Sequence, residues 1–258
     1  MQDYVYPFFA PGRVLKREAI ENLRDFPRDF LDIAYADYSD GIICGFDVTY
    51  ASGKLHIAGG AVKHDGRIIV LKETVCDFTR FNENIRVNLR FGETKENEDF
   101  LVIDATVELS RGSDGSDGSD ESDGIELARF RLAEGAALRK KSEYKGVSDF
   151  ITYDNTLNLV NVRYSGLYHP TFSPELLKIF AKEILKTSQD GADITFALIC
   201  LNSNIVHKDC ILQYLNNRLN ADLNAGISNG EIYRELCDIV KKRGGPPVKR
   251  RIGGPSIG

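Results

Sequence analysis

Tryptophan is absent from this sequence, methionine occurs once, and the five cysteines include no C-x-x-C pair. Cys44, Cys76, Cys200, Cys210 and Cys237 are an odd number scattered through apolar surroundings. That speaks against a disulfide framework and predicts reduced thiols, most of them in the core of a cytoplasmic product. Long hydrophobic runs are missing too. Nothing approaches the roughly 18 consecutive apolar residues of a membrane span, and the opening MQDYVYPFFAPG has neither the charged start nor the apolar stretch of a signal peptide. The chain is therefore expected to be soluble and unexported by that route, with no membrane among its partners.

Signatures of chemistry are equally sparse. G-x-x-x-x-G-K-S/T and G-x-G-x-x-G are absent, which removes the usual marks of a nucleotide-driven motor and of a dinucleotide enzyme. G-x-S-x-G, the common mark of a serine hydrolase, is absent as well. His56, His64, His169 and His207 stand far apart, and none belongs to H-E-x-x-H. His207 and Cys210 would make half a zinc site on one helical turn, but no second pair of comparable spacing accompanies them. With 38 acidic residues against 33 basic ones, the net charge of −5 leaves no general basic surface for coating nucleic acid. So many carboxylates always form pairs, which neither excludes nor indicates acid–base chemistry. The expectation is a protein without catalytic residues, cofactor or metal.

What the sequence does have is patterning. Its 258 residues, 42% of them hydrophobic, suffice for a sizeable core and for two units. Leu15, Ile20, Leu23, Phe26, Phe30, Ile33 and Ala34 fall at roughly helical spacing, predicting one or two short helices with Pro27 as a break or kink. From Gly41 the period changes. GFDVTY, KLHIAG, GRIIVLKE and NIRVNLRF read as antiparallel strands between turn signals such as Ala51-Ser52-Gly53 and His64-Asp65-Gly66. DFLVIDATVEL and IELARFRLAEGA read as a hairpin around residues 110–124, SRGSDGSDGSDESDG, a low-complexity stretch expected to be a disordered acidic hairpin loop. Asp114, Asp117, Asp120 and Asp123 recur every third residue, whereas a calcium-binding EF-hand loop spaces its acids every second residue and adds a distant Glu. A solvated loop is expected there. A last extended piece, NTLNLVNVRYSGLYHP, closes this half.

Helical spacing takes over next. Ser173-Pro174-Glu175 has the form of an N-cap with Pro at the first helical position, followed by the stripe Leu176, Leu177, Phe180, Ile184 and Leu185. ADITFALICLNS, which also passes for a buried strand, and HKDCILQYLNNRLN read as two further helices. A fourth begins at Ser228, with Glu231 placed to complete a capping box and Ile232, Leu236, Ile239 and Val240 on its buried face. The fold class is α+β. Residues 1–170 form an antiparallel, sandwich-like β-rich domain, 171–243 a small helical bundle, and 244–258 a flexible basic tail.

Three features invite a partner. The arm carries Tyr4, Tyr6, Phe8 and Phe9 beside two prolines that hold it extended; those rings either pack back on the β-rich domain or dock on another protein. Lys241, Lys242, Arg243, Lys249, Arg250 and Arg251 make a basic end, read as a solvated terminus or as a site for an acidic protein surface or nucleic acid. Leu176, Leu177, Ile179, Phe180 and Ile184 span a face wider than a coiled-coil seam needs, which predicts an oligomer interface.

The stretch DGIICGFDVTYASGKLHIAGGAVKHDGRIIVL resembles a pattern near the N-termini of phage tail-fibre and baseplate proteins. The matching positions are Gly41, Gly45, Val48, Gly53, Leu55, Ile57, Gly60 and Gly66. PFFAPGRVLKREAI is similar in placement to the leading segment of the receptor-binding-protein-like shell domain of type VI secretion and phage baseplates. In that family a β-rich shell precedes a helical neck that trimerises, and the resemblance covers most of residues 5–243. It departs in having no tryptophan and in ending where the type VI protein continues into a head domain, so no contact of that head carries over. The resemblance implies a non-enzymatic structural or adaptor subunit of a phage-derived tail, baseplate or contractile injection apparatus. Such a subunit would be cytoplasmic until assembled into its particle, a homo-oligomer with the trimer favoured, and partnered by other baseplate or tail subunits. An enzyme with an unrecognised site, or a nucleic-acid-associated protein acting through the basic tail, are the alternatives; nucleic acid is the less expected partner.

Overall fold

The computed structural model describes residues 6–97, 100–112, 124–152 and 154–243. Among these residues helix α1 (Arg17–Ala34) precedes nine strands: β1 (Gly41–Gly45), β2 (Val48–Ala51), β3 (Lys54–Ile57), β4 (Gly60–His64), β5 (Arg67–Leu71), β6 (Thr74–Asp77), β7 (Asn84–Glu96), β8 (Leu101–Arg111) and β9 (Ile125–Arg131). Helices α2 (Asp149–Thr152), α3 (Pro174–Thr187), α4 (Gly191–Asn202), α5 (Lys208–Leu219) and α6 (Asn229–Arg243) follow. The α+β class holds, with antiparallel sheets first and helices after them.

Turn chemistry sets the strand pairings. Ser52 (φ 52°) and Gly53 (φ 78°) make the left-handed pair of a type I′ turn that joins β2 to β3. Asp65 and Gly66 do the same between β4 and β5. Gly45 answers a different need: with φ 82°, a Cβ there would lie 2.3 Å from the Gly59 carbonyl oxygen, so only glycine lets β1 approach β4. Three three-stranded sheets result, ordered β1-β4-β5, β2-β3-β6 and β8-β7-β9. Alternation along β7 puts Ile85, Val87 and Leu89 inside. Residues 155–171 make only isolated bridges, such as Arg129 with Asn158 and Ile42 with Tyr164, and form no ladder strand.

The third sheet corrects the hairpin expected around residues 110–124. β8 and β9 do not pair with each other; both run antiparallel to β7, one on each side of it. Arg111 ends β8 opposite Ile85, and Ile125 begins β9 opposite Leu89, so the intervening segment is a crossover from one edge of the sheet to the other. Residues 113–123 lie outside the described residues, and with them the acidic repeat.

The helical expectations hold with two adjustments. Residues 17–34 form one continuous helix with Pro27 inside it, and ADITFALICLNS is helical. At α6 the capping box is complete: Ser228 Oγ accepts from the Glu231 amide at 3.2 Å, and Glu231 accepts from the Ser228 amide at 2.9 Å. Ser173 stands at the N-cap of α3 with Pro174 behind it, but its buried hydroxyl makes no capping bond. Asp190 does cap α4, accepting from the Ala192 amide at 2.9 Å.

Leu176, Leu177, Phe180 and Ile184 are each 0% exposed within a single chain, and Ile179 is half-buried. This overturns the oligomer interface expected on α3. Its wide apolar face is consumed internally, against α4 and α6 and around Phe196 and Tyr214, whose rings stack at 4.0 Å. Buried side chains of the strands and of the helices belong to one core cluster. Tyr233 of α6 donates to the Val147 carbonyl and Asn229 to that of Val162, tying the last helix to the irregular segment.

Candidate interaction surface

Every amphipathic helix of the C-terminal half sinks its apolar face into the core; α1 does not. None of its residues is buried. Ile20, Leu23, Phe26, Phe30, Leu31 and Ile33 remain between 40% and 77% exposed. Helix formation here is unfavourable on local grounds, because Pro27 removes an interior amide at a cost of about 3 kcal/mol and Lys16 supplies no side-chain cap. Its surface ion pairs, Arg17–Glu21 at 2.7 Å and Arg24–Asp25 at 2.6 Å, are exposed to solvent screening and offset little of this.

One end of α1 is nevertheless fixed. The Lys63 side chain, buried in β4, donates to the carbonyl oxygens of Tyr35, Ala36 (3.1 Å) and Tyr38 (2.7 Å). Those carbonyls belong to the C-cap and the turn just beyond it, where a cation is favoured by the hydrogen bonds and by the helix dipole. The following turn is stitched down by Ser39 N to the Gly166 carbonyl (2.9 Å), Tyr168 N to the Asp37 carbonyl (2.8 Å), and the Tyr38 ring edge-on to His207. The helix thus leaves the body from a rigid base with its apolar side chains outward.

The arm extends that patch. Phe8 and Phe9 are exposed and, with Arg13, Leu15 and Ala19, line a groove of about 320 Å³ against the first turn of α1. Arg13 sits over the Phe8 ring at 5.0 Å. Tyr6 is exposed; Tyr4 lies outside the described residues. Of the expected basic end, Lys241 and Lys242 are exposed on the last turn of α6, which Arg243 closes; Lys249, Arg250 and Arg251 lie outside the described residues. The structure therefore places the arm with α1, a joining that helical spacing could not reveal because it says nothing about what covers a face.

Elsewhere, a cleft of about 680 Å³ lies between Tyr35, Tyr38, Asp47, Tyr164, Glu175 and His207. His207 Nδ1 accepts from the Leu167 amide at 3.1 Å, and burial pushes the Tyr164 phenol up to about 12. Both groups are held in place by the fold. Among the described residues no cluster of three His, Cys, Asp or Glu could hold a metal, and no helix is long and apolar enough to cross a membrane. All five cysteines are free; Cys200 and Cys237 are buried, Cys76 and Cys210 partly so, and Cys44 is exposed. Burial pushes the Cys200 thiol up to about 12.

No family model and no curated protein matches the chain. Among solved structures it is similar to the crystal structure of TssK, at 8% sequence identity and a TM-score of 0.36, over 93% of this chain and 69% of that one. That is a distant likeness, from which no contact or role passes to this chain.

Proposed function

We propose that this chain is a non-enzymatic structural or adaptor subunit of a phage-derived tail, baseplate or contractile injection apparatus, docked to other subunits through its arm and α1. The observation that carries the reading is a helix of 18 residues, fixed at its base by Lys63, that buries none of its own apolar face. An apolar patch beyond a few hundred Å² marks a surface that works covered. The glycine pattern from Gly41 to Gly66, with its resemblance to baseplate shell domains, supports the class of particle. In this reading residues 1–170 are the shell and 171–243 the neck. The basic residues from Lys241 to Arg251 then contact an acidic neighbour.

The test is the company the protein keeps. Tail-like particles sedimented from its natural host and analysed by mass spectrometry are expected to contain the chain in constant ratio to sheath and tube proteins. Replacing Phe8 and Phe9 by Ser is expected to release it. A chain that stays wholly in the supernatant while particles sediment contradicts the proposal.

A further inference from the structure

We propose that α1 is the contact through which this chain associates with a second copy of itself. This rests on reading the α1 surface as an interface. The apolar residues Ile20, Leu23, Pro27, Phe30 and Ala34 alternate spacings of three and four, the seam by which one helix packs along another. Phe26 and Ile33 widen it on one side.

Size agrees with that occupant. The six exposed apolar side chains of α1, at their observed exposures, amount to roughly 700 Å² if each can bury about 200 Å². One partner in a standard interface contributes about 800 Å². Two copies of α1 therefore bury close to what a stable dimer needs. Symmetric association requires a patch that fits itself, and α1 is the one long apolar strip exposed among the described residues. Elsewhere the exposed large apolar side chains come singly or in short groups, such as Val70, Val75 and Phe100–Val102.

Charge narrows the choice further. Over Arg17–Ala34 five acidic residues face three arginines, a polar side ill suited to an anionic lipid surface, where basic residues are needed. The same near balance lets two identical helices lie together without strong repulsion. Because α1 contributes nothing to the core, charges placed on it are expected to act on association alone.

Sedimentation velocity and light scattering on the full chain, from low to high micromolar concentration, provide the test. The wild type is expected to run as a whole multiple of the single-chain mass and to dissociate on dilution. The double variant Leu23→Glu/Phe30→Glu is expected to be monomeric, with the melting temperature of the wild type diluted to monomer. Should that variant fail to fold, the milder Ile33→Gln is expected to weaken association at least ten-fold. A wild type that is monomeric throughout, or an oligomer that persists in a folded variant, overturns the inference. A monomer that still sediments with particles leaves the subunit reading standing; an α1-dependent oligomer absent from particles does the reverse.

Discussion

Lys63 does what no periodicity announces: it crosses from a strand to the C-cap and turn that end a helix, 25 to 28 residues earlier, and binds three carbonyl oxygens there. Lys63→Met keeps much of the side-chain volume and removes the donors. With hydrogen bonds to charged groups contributing about 1.5–3 kcal/mol, the expected loss is about 2 kcal/mol and a melting temperature roughly 5 °C lower. Amide exchange at Tyr35–Tyr38 is expected to quicken; unchanged exchange there contradicts the latch. Local signals were easier to read. The capping box of Ser228 and Glu231 spans one turn and was plain in the sequence, whereas Ser173, read as a simple N-cap before Pro174, is buried and makes no capping bond. Hydrogen bonds from Ser228 hold the Glu231 carboxyl below its ordinary value of 4.5. The Ala192 amide, and after it Arg218, hold Asp190 below 3.8. Carboxyls with depressed folded values stabilise fully above those ordinary values and lose that contribution as pH falls through the folded ones. Melting temperature is therefore expected to fall on acidification below about pH 4.5, less steeply in Glu231→Gln than in the wild type.

At the scale of elements, alternation located the strands and said nothing about their neighbours. That is why β8 and β9 looked like a hairpin and are instead the two flanks of β7. The ends to be joined are separated by two strand spacings and about five residues of strand, roughly 20 Å. Replacing Gly112–Asp123 by Asn-Gly leaves a reach of about 11 Å, so that variant is expected to lose its cooperative melting transition. An eight-residue Gly/Ser linker is expected to melt within a few degrees of the wild type. Full stability with Asn-Gly contradicts the observed strand order. The α3 stripe was legible as apolar and misleading as to purpose, since a wide face signals either a neighbour or an encircling core. Phe180 touches Phe196 and Tyr214 edge-on, at 6.1 and 6.0 Å. Phe180→Ala is therefore expected to cost about 3–5 kcal/mol of stability in the monomer itself, readable by denaturant titration. A change in association with stability intact contradicts its place in the core.

Across the whole molecule, the fold class and the order of sheets and helices were legible because they follow from local period and turn chemistry. The interaction surface was only half legible. The amphipathic pattern of α1 stands in the sequence, but its exposure depends on the body offering it little beyond β5 and the Lys63 latch. An amphipathic helix with an interior proline and no buried side chain needs cover from outside to persist. The most direct measurement is hydrogen exchange of the α1 amides in dilute isolated chain and in the assembled state. Exchange across residues 20–34 is expected to be at least ten-fold slower on assembly, while the core strand β7 stays equally protected in both. Equal protection of α1 in the two states contradicts the claim that this helix is the covered face of a subunit.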